Sequence, residues 1–141
     1  MVDLRAALME FWGSFTDRQT GRLIPCFQDV AVTAMHNLER PQPPPFPYIS
    51  YELLRPEMFG NNILSASIWD RRNVPGFMGL IDDVLRQAEL KIPETGTILK
   101  WDTGAVWMRR NAFNFLSYLD EPNDPLVTRG VIRYELWSYQ L

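Results

Sequence analysis

Asn62-Ile-Leu-Ser-Ala-Ser-Ile-Trp-Asp70 alternates, with Leu64, Ala66 and Ile68 on one side and Ile63, Ser65, Ser67 and Trp69 on the other. This period of two predicts a strand with one buried face. From Gly76 the period changes: Phe77, Leu80, Ile81, Val84, Leu85 and Ala88 recur at helical spacing, and Asp82, Asp83, Arg86, Gln87 and Glu89 take the other side. Between them, Arg71-Arg-Asn-Val-Pro-Gly76 offers Asn73 or Val74 as the lead-in and Pro75 in the first turn, where a missing N–H costs nothing. A strand followed by an amphipathic helix can bury its apolar side against that helix, so this unit reads as scaffold.

Working towards the N-terminus, Tyr48 to Leu54 predicts a strand that forms an antiparallel hairpin with Asn62–Asp70 across the loop Arg55–Asn62. The stiff, polyproline-like run Pro41-Gln-Pro-Pro-Pro-Phe-Pro47 delivers the chain into it; an SH3 ligand is the weaker reading. Cys26 to Met35 fits a short helix or an extended piece, and an irregular or extended segment is expected. Asp3 can cap a first helix whose stripe is Leu4, Ala7, Leu8, Phe11, Trp12 and Phe15, with a break at Gly21.

Towards the C-terminus, Pro93–Gly96 is a break, and Ile98–Trp101 is a short strand stopped by Asp102-Thr-Gly104. Ala105–Met108 and Phe113–Leu119 are strand-like around an irregularity at Arg109–Ala112, and Asp120–Pro125 is a turn. The last strand runs from Val131 to Tyr139, with Ile132, Tyr134 and Leu136 facing the core. The expected fold is a single α+β domain over residues 1–141, an antiparallel or mixed sheet with both helices on one face. Its core should contain Leu64, Ala66, Ile68, Phe77, Leu80, Ile81, Val84, Leu85, Ile132, Tyr134 and Leu136.

At 141 residues the chain is long enough for a real core without disulfides or a structural metal. Net charge −3 gives no global basic field to attract nucleic acid or anionic membrane. The start lacks the features of a secretory signal, and no apolar run approaches the ~20 residues of a membrane span. Eighteen aromatic residues exceed what one small core plainly needs, so some are expected to face a partner.

Residues that could carry chemistry are sparse. His36 and Cys26 are the only residues of their kinds, and neither has a local partner that would make it a base or nucleophile. No phosphate loop, nucleophile elbow or metalloprotease helix is present. Asp120, Glu121 and Asp124 could offer oxygen ligands to a hard cation, but their spacing is generic and Pro122 and Pro125 already explain a turn. Asp82 and Asp83 diverge by about 100° on their helix and do not make an acid/base pair. No metal, cofactor or catalytic residue is therefore assigned. The pairs Arg71-Arg72 and Arg109-Arg110, with Trp69, Trp101 and Trp107 near them, suggest a stacking surface for nucleic acid, yet neither extends into a basic stripe. Protein contact is the better reading, with Arg133, Glu135, Trp137 and Tyr139 sharing the non-core side of the last strand.

The order of elements resembles the tail terminator (tail completion) proteins of long-tailed bacteriophages. The resemblance lies in the N-terminal helix, the approach ending in Pro47-Tyr-Ile-Ser-Tyr-Glu-Leu53, the strand–helix unit, and the Asp120–Pro125 turn before Arg129-Gly-Val-Ile-Arg-Tyr-Glu-Leu136. It implies a structural, non-enzymatic virion subunit, assembled in the host cytoplasm, that forms a homo-oligomeric ring, usually a hexamer. The ring would cap the head-proximal end of the tail tube, stop its polymerisation, and contact both the tube protein and the head's connector or completion protein. Head-completion and neck proteins of the same particles are near neighbours. A small monomeric metal-dependent enzyme and an adaptor that binds through its aromatic strand are rival classes.

Overall fold

The computed structural model describes residues 4–28, 46–54, 62–73, 78–111, 115–120 and 126–140, and within these the side chains of residues 54, 119, 120 and 138–140 lie outside the description. Among these residues two helices, α1 (Leu4–Trp12) and α2 (Gly79–Lys91), accompany seven strands. The strands are β1 (Cys26–Gln28), β2 (Tyr48–Leu54), β3 (Asn62–Arg71), β4 (Thr97–Trp101), β5 (Gly104–Arg110), β6 (Leu116–Asp120) and β7 (Val127–Gln140). They form one mixed sheet in the order β1-β2-β3-β7-β5-β4, with β6 also paired to β7. Only the β1–β2 pairing is parallel among these strands.

The expected hairpin is β2–β3, in register from Tyr48↔Trp69 to Leu54↔Ile63. β7 is the longest strand, at 14 residues, and organises the rest. One edge pairs with β3 from Arg71↔Val127 to Asn62↔Leu136. Its other edge is shared end to end, by β6 over Thr128–Ile132 and by β5 over Tyr134–Gln140. At the junction Arg133 bonds on both sides, its carbonyl accepting from Asn111 N–H (3.1 Å) and its N–H donating to Phe115 carbonyl (2.8 Å). Of the irregularity expected at Arg109–Ala112, Arg109 and Arg110 instead continue β5 in regular register with β7, and residues 112–114 lie outside the described ones.

Alternation on the sheet sends Ile49, Tyr51, Leu64, Ala66, Ile68, Val106, Met108, Ile132, Tyr134 and Leu136 to the same buried side. Both helices cover it. α2 contributes Leu80, Ile81, Val84, Leu85 and Ala88, while α1 and its continuation contribute Leu8, Trp12 and Phe15. Trp12 and Phe15 stack at 5.4 Å, and Trp12 reaches Tyr134 at 5.8 Å, so a good share of the aromatic content belongs to this layer. Every expected core residue is buried except Phe77, which lies outside the described residues. Gly130 faces α2 in mid-sheet: a Cβ there would stand 2.5 Å from Ile81 Cγ2, so its bare backbone lets the helix sit close.

Several boundaries differ from the sequence reading, two of them by four residues or more. α2 begins at Gly79 with Met78 as its N-cap, not at Asn73 or Val74, and Pro75 lies outside the described residues. Met78 makes no side-chain cap bond, so the start is set by where the stripe Leu80–Ile81–Val84 meets the sheet and not by a capping residue. β7 begins at Val127, four residues before Val131, because β3 and β6 give its first residues partners. Gly21 (φ +69°) and Gly96 (φ +84°) both occupy the left-handed region at the expected breaks. β1 realises the extended reading for Cys26–Gln28; residues 29–45 lie outside the described ones. No helix among the described residues is long and apolar enough to cross a membrane.

Candidate functional site

The sheet's other side carries no helix among the described residues, and alternation gives it a composition unlike the core's. Residues paired across strands form rows running perpendicular to the strands. In one row Tyr48, Trp69 and Arg129 are direct partners. Tyr48 and Trp69 stack at 5.9 Å and 20°, and the Arg129 guanidinium lies 4.4 Å from the Trp69 ring. Phe27 and Phe46 flank Tyr48 at 6.1 and 5.3 Å. Burial pushes the Tyr48 hydroxyl above the usual tyrosine range, and the Arg129 charge opposes the rise.

The next rows are short and polar. Ser50 pairs with Ser67, which pairs with Val131, and Glu52 pairs with Ser65, which pairs with Arg133. Ser50 Oγ accepts from Trp69 Nε1 (3.1 Å), and Ser67 Oγ accepts from Arg129 Nε and Nη2 (3.2 and 2.9 Å). Arg133 Nη1 donates to Ser117 Oγ at 3.0 Å. The two arginines thus lie across a floor of serines and Val131.

At the far end Arg109 and Glu135 are cross-strand partners joined by a 2.9 Å ion pair, with side chains 41 % and 17 % exposed. The Arg109 guanidinium stands 5.1 Å from the Trp107 ring and 5.8 Å from Trp137, and these two indoles are themselves cross-strand partners. Trp107 Nε1 donates to Thr95 carbonyl (2.9 Å), and a Cβ on Gly96 would collide with that indole, so the positive-φ turn is shaped around the ring. Ile98 adds a 55 % exposed apolar side chain at the β4 edge.

The sequence-derived contact residues divide. Arg109, Arg133, Glu135 and Trp137 share this face, and Arg71 reaches its exposed end. The paired arginines split, because neighbours on a strand point to opposite sides. Arg110 lies on the helical side, 5.1 Å from the Phe115 ring. Arg72 turns to the buried carboxylates at the end of that layer, 2.9 Å from Asp70 and 3.8 Å from Asp17. Tyr139 pairs its backbone with Ala105, and its side chain is outside the described ones. Sequence reasoning missed Tyr48, Ser50, Ser67 and Arg129 as members of the face, whereas Trp107, noted beside the arginine pair, does stand under Arg109. The signal for Arg129 was parity with Arg133 and Glu135, hidden by starting the strand at Val131.

Cys26 is half-buried beside Met9, Sγ to Sδ 3.3 Å, and burial pushes its thiol up, away from the reactive thiolate. His36, Glu121 and Asp124 lie outside the described residues. Among the described residues no three His, Cys, Asp or Glu side chains gather to hold a metal.

Chemically, the face offers charge, large flat rings and a few hydroxyls, all anchored on paired strands. Among the described residues of the face, Lys100, Arg71, Arg109, Arg129 and Arg133 stand against Glu52 and Glu135, five basic side chains to two acidic ones. Aromatic and arginine anchors on a rigid sheet suit contact with another macromolecule. No protein-family model matches this chain, and no curated protein matches it either.

Proposed function

We propose that this chain is a structural virion protein of the tail terminator kind, working through contacts and not through catalysis. Subunits close into a ring, a hexamer in the family it resembles, on the head-proximal end of the tail tube. The ring ends tube polymerisation and gives the head's connector its attachment surface. The observation that supports a contact role is the sheet face that carries no helix among the described residues, where Trp69–Arg129 and Trp107–Arg109–Trp137 hold half-buried rings and cations on paired strands. Such groups are enriched at interface centres, and holding them on strands reduces the entropy lost on docking. A ring needs a heterologous contact that rotates by a constant angle, and each contact should bury at least ~1,000 Å².

The test is to delete the gene from the particle that encodes this chain and image the tails. Overlong or unattached tails support termination. Normal tails that fail to join filled heads would move the assignment to head completion, and normal particles would refute both. Mass measurement of the purified chain supplies the second arm, where an assembly of several times 16.4 kDa supports the ring.

A further inference from the structure

On the sheet face away from the helices, Ser50, Ser67 and Arg129 enclose a polar niche of about 80 Å³, with Glu52 and Ser65 at its sides. Ser50 and Ser67 are cross-strand partners, and both are more than nine-tenths buried, at 5 % and 4 % exposure. Each hydroxyl oxygen is already an acceptor, Ser50 from the Trp69 indole and Ser67 from the Arg129 guanidinium. A serine that accepts still has its own proton to donate. No acceptor among the described residues takes either proton, so two buried O–H donors are left directed at the niche beside a guanidinium. A buried donor without an acceptor costs free energy, and such an arrangement calls for an acceptor from outside.

The volume sets the size of that acceptor. At ~30 Å³ per water, the niche holds two or three heavy atoms. The donors set its chemistry: neutral hydroxyls and an arginine, with Arg133 four residues along on the same face, favour a single negative charge. We infer that the Ser50–Ser67–Arg129 niche receives one carboxylate side chain, an Asp or Glu of the protein that docks on this face. Basic side chains outnumber acidic ones among the described residues of the face, which favours an acidic protein surface, and a carboxylate seated here would be a desolvated, charge-assisted anchor inside the contact. That its donor is a docking protein rests on the assembly role proposed above. The niche's affinity for carboxylate does not.

Acetate, titrated into the full-length protein at constant ionic strength against chloride, is the first probe, read by the NMR shift of the Trp69 indole N–H. Saturable movement in the wild type is expected. Ser50→Ala or Ser67→Ala should weaken it about tenfold, the loss expected for one hydrogen bond to a charged group. Glu52→Gln should tighten it by removing a like charge at the side of the niche, an effect that a purely structural serine would not produce. A shift that chloride reproduces, or one that survives both serine substitutions, overturns the site. Circular dichroism of the variants separates loss of the niche from loss of the fold, and a variant that unfolds is replaced by the Thr substitution, which keeps the donor and should bind acetate. The second arm places Ser50→Ala and Ser67→Ala in the assembling particle. Defective docking supports a partner carboxylate. Unimpaired assembly with abolished acetate binding refutes the partner while leaving the ring reading intact.

Discussion

Gly130 gives the sharpest test of how the layers meet. It lies in the central strand β7, paired with Ile68 on one side and Tyr118 on the other, under the first turn of α2. An alanine Cβ would stand 2.5 Å from Ile81 Cγ2, where carbon atoms normally rest at ~3.5–4.0 Å. Ile81 is fully buried, and a β-branched side chain in a helix has essentially one χ1 available, so the methyl cannot swing aside. The helix must lift by roughly 1 Å, a disturbance that overpacked cores register as about 1–3 kcal/mol. Against this, alanine in a strand interior recovers roughly 0.5–1 kcal/mol relative to glycine. Gly130→Ala should therefore destabilise by about 1–2 kcal/mol, seen in urea as a lower midpoint with unchanged slope. Ile81→Ala removes the offending methyl and costs about 2–5 kcal/mol alone. In that background Gly130→Ala should become neutral or stabilising, a coupling of at least ~1 kcal/mol in the double-mutant cycle. Ile81→Leu, which also has no Cγ2, provides a milder second background. Additivity within about 0.5 kcal/mol in both would refute the claim that Gly130 exists to admit Ile81.

Two tyrosines carry further expectations. Burial pushes the Tyr51 hydroxyl up to about 12, with the neighbouring Cys26 adding to the rise and Arg5 opposing it. The folded state then holds its proton where the unfolded chain releases it near 10, so the contribution is complete below pH ~10 and is lost as pH rises towards 12. Urea midpoints measured across that window should fall more steeply for the wild type than for Tyr51→Phe, and equal slopes would contradict the assignment. Tyr134 Oη is buried without a hydrogen-bond partner among the described residues, and its ring packs against Trp12 and Phe115. Tyr134→Phe should consequently be neutral or stabilise by up to ~1–3 kcal/mol, whereas a clear loss in chemical denaturation would reveal a bound water at the hydroxyl.

What could be read from the residues follows from which physical signal each element leaves in the chain. β3 and α2 were legible because one face of each is apolar and the other polar, so period and burial agree. The aromatic face was only half legible, and the reason lies in Arg71-Arg72 and Arg109-Arg110. Adjacent arginines look like one patch in a sequence, but a strand divides them, sending Arg109 to the aromatic face and Arg110 to Phe115. The rows that make the face depend on register between distant segments: Tyr48, Trp69 and Arg129 meet only because β2, β3 and β7 pair as they do. Nothing local to Arg129 states that Trp69 is its partner. The serine niche is further from view still, since Ser65 and Ser67 read as the ordinary polar side of a half-buried strand until Ser50 is laid beside them. Cross-strand register therefore turns unremarkable polar residues into a shared site. It follows that the face should fail as a unit: substitutions in the hydrogen-bonded Trp69–Arg129 and serine rows should couple in docking with those in the Arg109–Glu135 row while remaining nearly additive with them in stability, because the two groups make their direct contacts separately and a common partner spans both.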